Sequence, residues 1–575
     1  MKKRTKLLTA LLAGAMFSCS IALVGCQGGG NDTGSSTPEE SAKTFDEATG
    51  LNFELSDNGL YYIVIQSPNC NLELEIPAKF NELPVREIAD GAFQSSNITS
   101  LTLPDSIDVI GRAAFASCNS LKSAVISDTV DIIEDQAFCG AGLESITIGR
   151  NVQVIGDAAF SGCSNLETVT LPDSVTSLGK EAFHGCPRLS SVVLGNGLET
   201  IERLAFANCP SLLSITIGSG VKRIEEKAFE AVKGVLTAIH IVDLAAWCEI
   251  DGLKEIMDSF PAKDLYVNNE EIIQLEIPDG VTEIKEYAFH NCGYITWATI
   301  PSSVERIGEY AFTECFELEG RVKNALTYLG NDAEPYLYLL RAEFKEVTNQ
   351  VVIDKDCRLA SPQAFEGCNA LVTKDESGAR YIGSENNPYM YLVGKTSQYV
   401  ERAIINANCK FMGEKAFQYC SKLESMVVPE GIELIPNRAF QSCSALKSLT
   451  LPANAWYIGE SAFDGCQALT ALTIPEKVTK ISPYMLSTCK ALTSLTIHDG
   501  ITGIGRAAFQ GCPFTSITLP RSITYIDSSA FYNCKTLATL NFEGTMAEWE
   551  SISKDSYWKD SSTPLTIICS DGTIE

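Results

Sequence analysis

Histidine is scarce, at four in 575 residues, and most residue arrangements that give a chain recognisable chemistry are missing. No H-E-x-x-H, G-x-S-x-G, G-x-G-x-x-G or P-loop spacing occurs, so the sequence-legible zinc-protease, serine-hydrolase, dinucleotide and nucleoside-triphosphate sites are excluded. No C-x-x-C or Cys/His cluster exists either, and no EF-hand spacing of carboxylates. Cations are in deficit: 44 Lys and Arg stand against 72 Asp and Glu, a net charge of -28. A phosphate backbone would be repelled, which excludes nucleic acid as a partner. Past the first 25 residues no apolar run approaches the roughly 20 residues a membrane helix needs. The chain is nonetheless 45% hydrophobic and 20% charged, a folding composition rather than a disordered one.

The chain opens with Lys2, Lys3, Arg4 and Lys6, followed by an apolar run from Leu7 to Val24 and then Leu23-Val24-Gly25-Cys26. A basic start and an apolar stretch are the parts of an export signal. The last four residues resemble the lipobox of bacterial lipoproteins. That resemblance implies a signal peptide over 1–25 and a lipidated Cys26 holding the chain to the cell membrane or outer membrane, facing outward. Acyl chains at one residue anchor firmly because each buried methylene is worth ~0.8 kcal/mol. Residues 26–50, rich in Gly, Ser, Thr and acids at their start, read as a flexible tether.

Beyond the tether the chain is governed by a period. Ala-Phe recurs with its ring at Phe93, Phe115, Phe138, Phe160, Phe183, Phe206 and Phe229, then Phe289 and Phe312, then Phe365. It resumes at Phe417, Phe440 and Phe463, is replaced at Leu486, and ends at Phe509 and Phe531. Fifteen such sites and one degenerate one mark sixteen coils. In the unit from Leu143 to Cys163, Ile146 and Ile148 alternate with Ser145 and Thr147, which is strand periodicity. A Gly or Pro then ends the strand. Ile155, Ala159, Phe160 and Cys163 come next at spacings of four, one and three, the inner face of a short helical turn. One unit cannot bury its apolar stripe alone. Stacked units pair their strands in a parallel sheet and pack Phe on Phe.

The pattern L-x-x-L-x-[IL]-P-x-x-[VI]-x-x-I-x-x-x-A-F-x-x-C, spread over most of 86–540, resembles the BspA-type leucine-rich repeat of bacterial surface proteins. The stretch YYIVIQSPNCNLELEIPAKFNELPVREIADGAF is similar to that family's opening module, and the tail with Trp549, Trp558 and Ile567 to a recurring closing one. The resemblance implies a leucine-rich-repeat α/β solenoid with a parallel sheet on one face and short helical turns on the other. It also implies surface exposure and adhesion to host proteins, glycans or other cells. The organisation expected is a strand-rich cap over 51–85, repeats over 86–233, an irregular insertion over 234–272 and repeats over 273–319. Two long repeats with strand-rich excursions occupy 320–411, then repeats 412–540 and a Trp-containing cap 541–575.

Cysteine is abundant, at 21 residues. Thirteen lie three residues after the repeat Phe or its Leu486 substitute: Cys118, Cys163, Cys186, Cys209, Cys292, Cys315, Cys368, Cys420, Cys443, Cys466, Cys489, Cys512 and Cys534. A disulfide framework or a metal array could be imagined. A single column of thiols at one angle offers neither paired geometry nor tetrahedral convergence, so a buried ladder of small apolar side chains is expected. No cofactor, metal or catalytic residue is assigned. The strand positions Ser145/Thr147, Thr168/Thr170 and their equivalents form hydroxyl columns that suit a half-exposed strand and lack anchors for a strong interface. Ligand contact is therefore expected in the irregular segments, at Trp247, Tyr266, Tyr328, Tyr336, Tyr338, Tyr381, Tyr389 and Tyr391. The function expected is a lipid-anchored extracellular binding protein, an adhesin or surface receptor. A structural cell-envelope protein is the alternative, and a surface enzyme or enzyme accessory a more distant one.

Overall fold

The computed structural model describes residues 44–67, 70–232, 234–258, 261–342, 351–368, 371–555, 557–560 and 564–574. The signal peptide, Cys26 and the tether as far as residue 43 lie outside them. Two compact units result. The first holds the described residues up to 320 and takes in 329–335; the second holds 321–328 and those from 336 onward.

In the first unit a typical coil is a three-residue strand, a turn, a two-residue strand and a longer turn region. Thr168–Thr170, Ser191–Val193, Ser214–Ile217, Ala238–Ile241 and Asp264–Val267 stand side by side in one parallel sheet, closed by Glu270–Glu271. The two-residue strands, such as Val109–Ile110, Ile132–Ile133 and Val154–Ile155, stack in a second parallel sheet. The opening module joins this second sheet through Tyr62–Ile65 and Leu83–Ile88. It begins earlier than the sequence suggests: Thr44–Asp46, inside the expected tether, pairs antiparallel with Leu51–Leu55. A paired hairpin of this kind covers the first coil's open edge.

Phenylalanine fills the interior. From Phe93 to Phe229 successive rings lie 5.1–5.6 Å apart and nearly parallel, and the side chains are essentially solvent-free. Each buried ring contributes roughly 1.5–3 kcal/mol by leaving water.

The side opposite the sheet is not helical. In Gly111–Cys118 the amides of Ala114, Ala116 and Cys118 donate to carbonyls three residues back, while those of Ala113, Phe115 and Ser117 donate to Asp135, Ala137 and Cys139 of the next coil. Ala113 and Ser117 have φ of 52° and 58°. A helix would use every amide internally. Here alternate amides turn outward, so three overlapping turns bond one coil to the next. The repeated apolar spacing fits both arrangements, which is why it suggested helix.

The segment expected to be irregular, 234–272, continues the sheet. Ala238–Ile241 and Asp264–Val267 keep full register with Ser214–Ile217. Its extra length is taken up by two short helices, Leu244–Cys248 and Lys254–Met257.

The second unit repeats this coil from Phe417 to Phe531. It ends in the helix Met546–Ser551, whose Thr545 and Glu548 form a capping box. Trp549 and Trp558 are buried with ring centroids 6.0 Å apart, and Trp558 meets Phe531 edge-on at 5.8 Å. They cover the last repeat, while Gly572–Ile574 folds back on Thr566–Cys569.

Candidate functional site

The two long repeats share one plan. Arg321–Lys323, Leu326–Leu329, Tyr338–Ala342 and Leu359–Ala360 form a four-stranded sheet, and Lys374–Glu376, Ala379–Ile382, Tyr391–Lys395 and Phe411–Met412 form its copy. Each opens with a hairpin whose two central residues have positive φ, Asn324/Ala325 and Ser377/Gly378, the requirement of a tight hairpin turn. The tyrosines build the interior of these sheets rather than their exterior. Tyr328 and Tyr381 are buried, and their hydroxyls accept the amides of Asp354 and Asn406, each at 3.0 Å. Tyr338 and Tyr391 are buried as well, with the Tyr391 hydroxyl donating to the Pro362 carbonyl at 2.9 Å. Buried phenols need such partners.

Tyr336 and Tyr389 sit half-buried, edge-on to Tyr328 and Tyr381 at 5.4 Å in both copies. Lys323 and Lys374 lie over their outer faces at 4.5 and 4.1 Å. Trp247 is also a core residue; its indole N–H donates to the Ala288 carbonyl at 2.8 Å. The buried residues Trp247, Tyr328, Tyr338, Tyr381 and Tyr391 therefore cannot reach a ligand in this structure, against their expected role. The spacing of aromatic residues alone does not tell which face of a short strand they occupy.

Tyr266 is different. It lies on the outer side of the six-stranded sheet, in register with His240 and Thr216. The His240 and Tyr266 rings stack at 4.7 Å and 17°. Some burial, followed by the charges of Asp264 and Glu271, raises the Tyr266 phenol pKa. The column Thr170, Val193, Thr216 thus leads to an aromatic pair with an acidic margin. His240 lies in a segment that the sequence marks as an irregular insertion, with no register to set it beside Tyr266.

The histidines among the described residues have separate surroundings. His290 is buried with Glu314 at 3.7 Å and Asp258 at 4.0 Å, and burial lowers its pKa despite both acids. His184 meets Asn208 at 2.9 Å on the surface. Glu202 is pushed up to about 7, first by burial and then by Glu225. Among the described residues no three His, Cys, Asp or Glu side chains are grouped to hold a metal. No helix there is long and apolar enough to cross a membrane.

No curated protein matches the chain. Similar solved structures include a leucine-rich repeat protein of T. pallidum, 29% identical, covering 32% of this chain and 85% of that one with a TM-score of 0.30. A leucine-rich repeat protein from Bacteroides ovatus is 20% identical over 92% of this chain and 99% of its own, TM-score 0.30. A leucine rich cell surface protein from Faecalibacterium prausnitzii is 22% identical over 90% and 99%, TM-score 0.26. The family model of the BspA type leucine rich repeat region matches residues 69–167, 109–236, 262–335 and 410–538, in six copies. These spans take in well over half of the sequence, and the stacked coils they mark carry the Phe column and the parallel sheets. The chain belongs to the BspA-type leucine-rich-repeat family.

Proposed function

We propose that this protein is a surface binding protein, an adhesin or receptor, held to the outside of its cell by a lipid on Cys26. The observation that carries the reading is the outer face of the six-stranded sheet, where Thr216, His240 and Tyr266 stand in one row ending in a stacked aromatic pair. A flat, open face with an aromatic anchor suits a macromolecular partner better than a small substrate, which needs concave enclosure. The carboxylates Glu202 and Glu225 are tied electrostatically to each other and to Arg223 within the coil stack, an arrangement that serves the fold, and this favours binding over catalysis. Family membership supports a binding scaffold, and the acidic chain favours protein or neutral glycan partners over polyanions.

Screening the full-length protein against matrix proteins, mucins and neighbouring cell types tests the role. Retention of at least one partner by the folded chain is expected, and failure with all of them would remove the adhesin reading. The anchor is tested separately: Cys26→Ser should release most of the protein from the membrane fraction, and unchanged retention would contradict lipidation.

A further inference from the structure

A second surface lies on the turn side of the second unit. Coils around Phe417, Phe440 and Phe463 leave an open groove of about 480 Å³ there, lined by Tyr399, Tyr419, Ser421, Ser444, Asp464 and Gln467 among others. Both tyrosines are well exposed, at 63% and 59%. Large aromatic faces left in water beside polar groups ask for a partner.

Tyr419 is distinguished by its ring rather than by its backbone. It stands two residues after the repeat Phe, where the chain turns left-handed in most coils. Gly140, Gly162, Asn208, Ser442 and Gly465 hold that place elsewhere, with φ of 57–74°. Tyr419 has φ of 64° and is the one aromatic residue at that position among the described coils. A side chain there costs about 1–2 kcal/mol, which the fold also accepts at Glu314 and Thr488, and the Tyr419 amide donates to the Gln441 carbonyl of the next coil at 2.8 Å. The turn carries the exposed Tyr419 ring to the same groove as Tyr399.

The polar groups are fixed in advance. Gln418 donates to Gln441 at 2.6 Å, Gln441 to one Asp464 oxygen at 3.1 Å, and Thr488 to the other at 3.1 Å. Each carboxylate oxygen keeps a lone pair for a further donor. Gly465 puts no side chain into the groove beside Asp464, and an added Cβ would touch Ser442 at 3.2 Å. The lining contains no lysine or arginine.

We propose that this groove is a carbohydrate subsite for a neutral sugar. The apolar C–H face of a pyranose lies on the Tyr399 and Tyr419 rings, whose faces are electron-rich, and its hydroxyls bond to Asp464, Ser421, Ser444 and Gln467. A peptide segment would need an apolar pocket for an anchor side chain, and the lining offers mainly hydroxyl, amide and carboxylate groups. A sialylated or uronic sugar would meet the Asp464 charge with no lining cation to oppose it. The subsite deepens the surface-binding reading and rests on it.

The test is titration of the full-length protein with neutral disaccharides ending in galactose, glucose, mannose or N-acetylglucosamine, and with sialyllactose. At least one neutral sugar binds, and Tyr399→Ala and Tyr419→Ala each weaken it tenfold or more. Tyr419→Gly separates binding from folding: it relieves the left-handed strain, so melting rises while sugar binding falls. Binding of no neutral sugar by the folded chain, preference for sialyllactose, or unchanged affinity in both tyrosine variants would overturn the proposal. A protein partner that still binds the double tyrosine variant, with no sugar bound by wild type, would remove the subsite and leave the surface-binding role in place.

Discussion

The repeat thiols act as small apolar fillers that also complete a backbone contact. The Cys443 thiol donates to the Phe417 carbonyl at 3.2 Å, a carbonyl that already accepts the Cys420 amide at 3.1 Å. Cys163, Cys466 and Cys489 bond in the same way to Phe138, Phe440 and Phe463. All cysteines among the described residues are free, and burial pushes Cys163 and Cys466 up to about 12. Only the thiolate reacts, so alkylation of the native protein at pH 8 should spare these two and label them fully after denaturation. Rapid native labelling would contradict the buried ladder. The raised pKa also contributes to alkaline sensitivity. Between about pH 9 and 12 the unfolded chain loses protons that the native chain keeps, so stability falls as pH rises through that window. The sequence disclosed the ladder through its spacing, but it could not show which carbonyl each thiol meets.

Glu202 gives a parallel case at a carboxylate, at lower pH. Its pKa of about 7 lies above the ordinary 4.5 because burial and Glu225 disfavour the charge. Below pH 4.5 both states hold the proton; between 4.5 and 7 only the native state does, so this group's contribution falls across that range and is lost above it. Glu202→Gln should therefore stabilise by roughly 1–3 kcal/mol at pH 8 and by almost nothing at pH 4. Thermal melts at both pH values check this, and equal shifts would contradict it.

At the scale of elements, the Phe column was legible because one residue type at a fixed step has to meet its copies when coils stack. Phe183 lies between Phe160 and Phe206 at 5.2 and 5.5 Å. Phe183→Ala should cost about 3–5 kcal/mol and lower the melting of the first unit. A loss under about 1 kcal/mol would mean that the column is not its core. The turns were less legible. Glu181, Leu204 and Lys227 adopt φ of 58–64°, conformations their side chains disfavour, and no local propensity announces them. Amides bonded to the neighbouring coil hold these turns, as Glu181 is bonded to Arg203 and Asn208 to Glu230. The aromatic excursions were misread for a related reason. Tyr328 and Tyr381 look like recognition residues in sequence, yet each hydroxyl accepts a backbone amide within its own long repeat.

At the scale of the molecule, two coil stacks present different surfaces: a strand face ending at His240 and Tyr266 in the first unit, and the turn-side groove at Tyr399 and Tyr419 in the second. The repeat plan was open to reading because it is periodic. These sites were hidden because each depends on a departure from the period, visible only once the coils are placed in register. The most direct measurement of the binding role is the affinity of the double variant His240→Ala/Tyr266→Ala for a partner retained by the intact protein. A loss of tenfold or more is expected, with the melting temperature unchanged. Unaltered affinity in the folded variant would contradict the role assigned to this face.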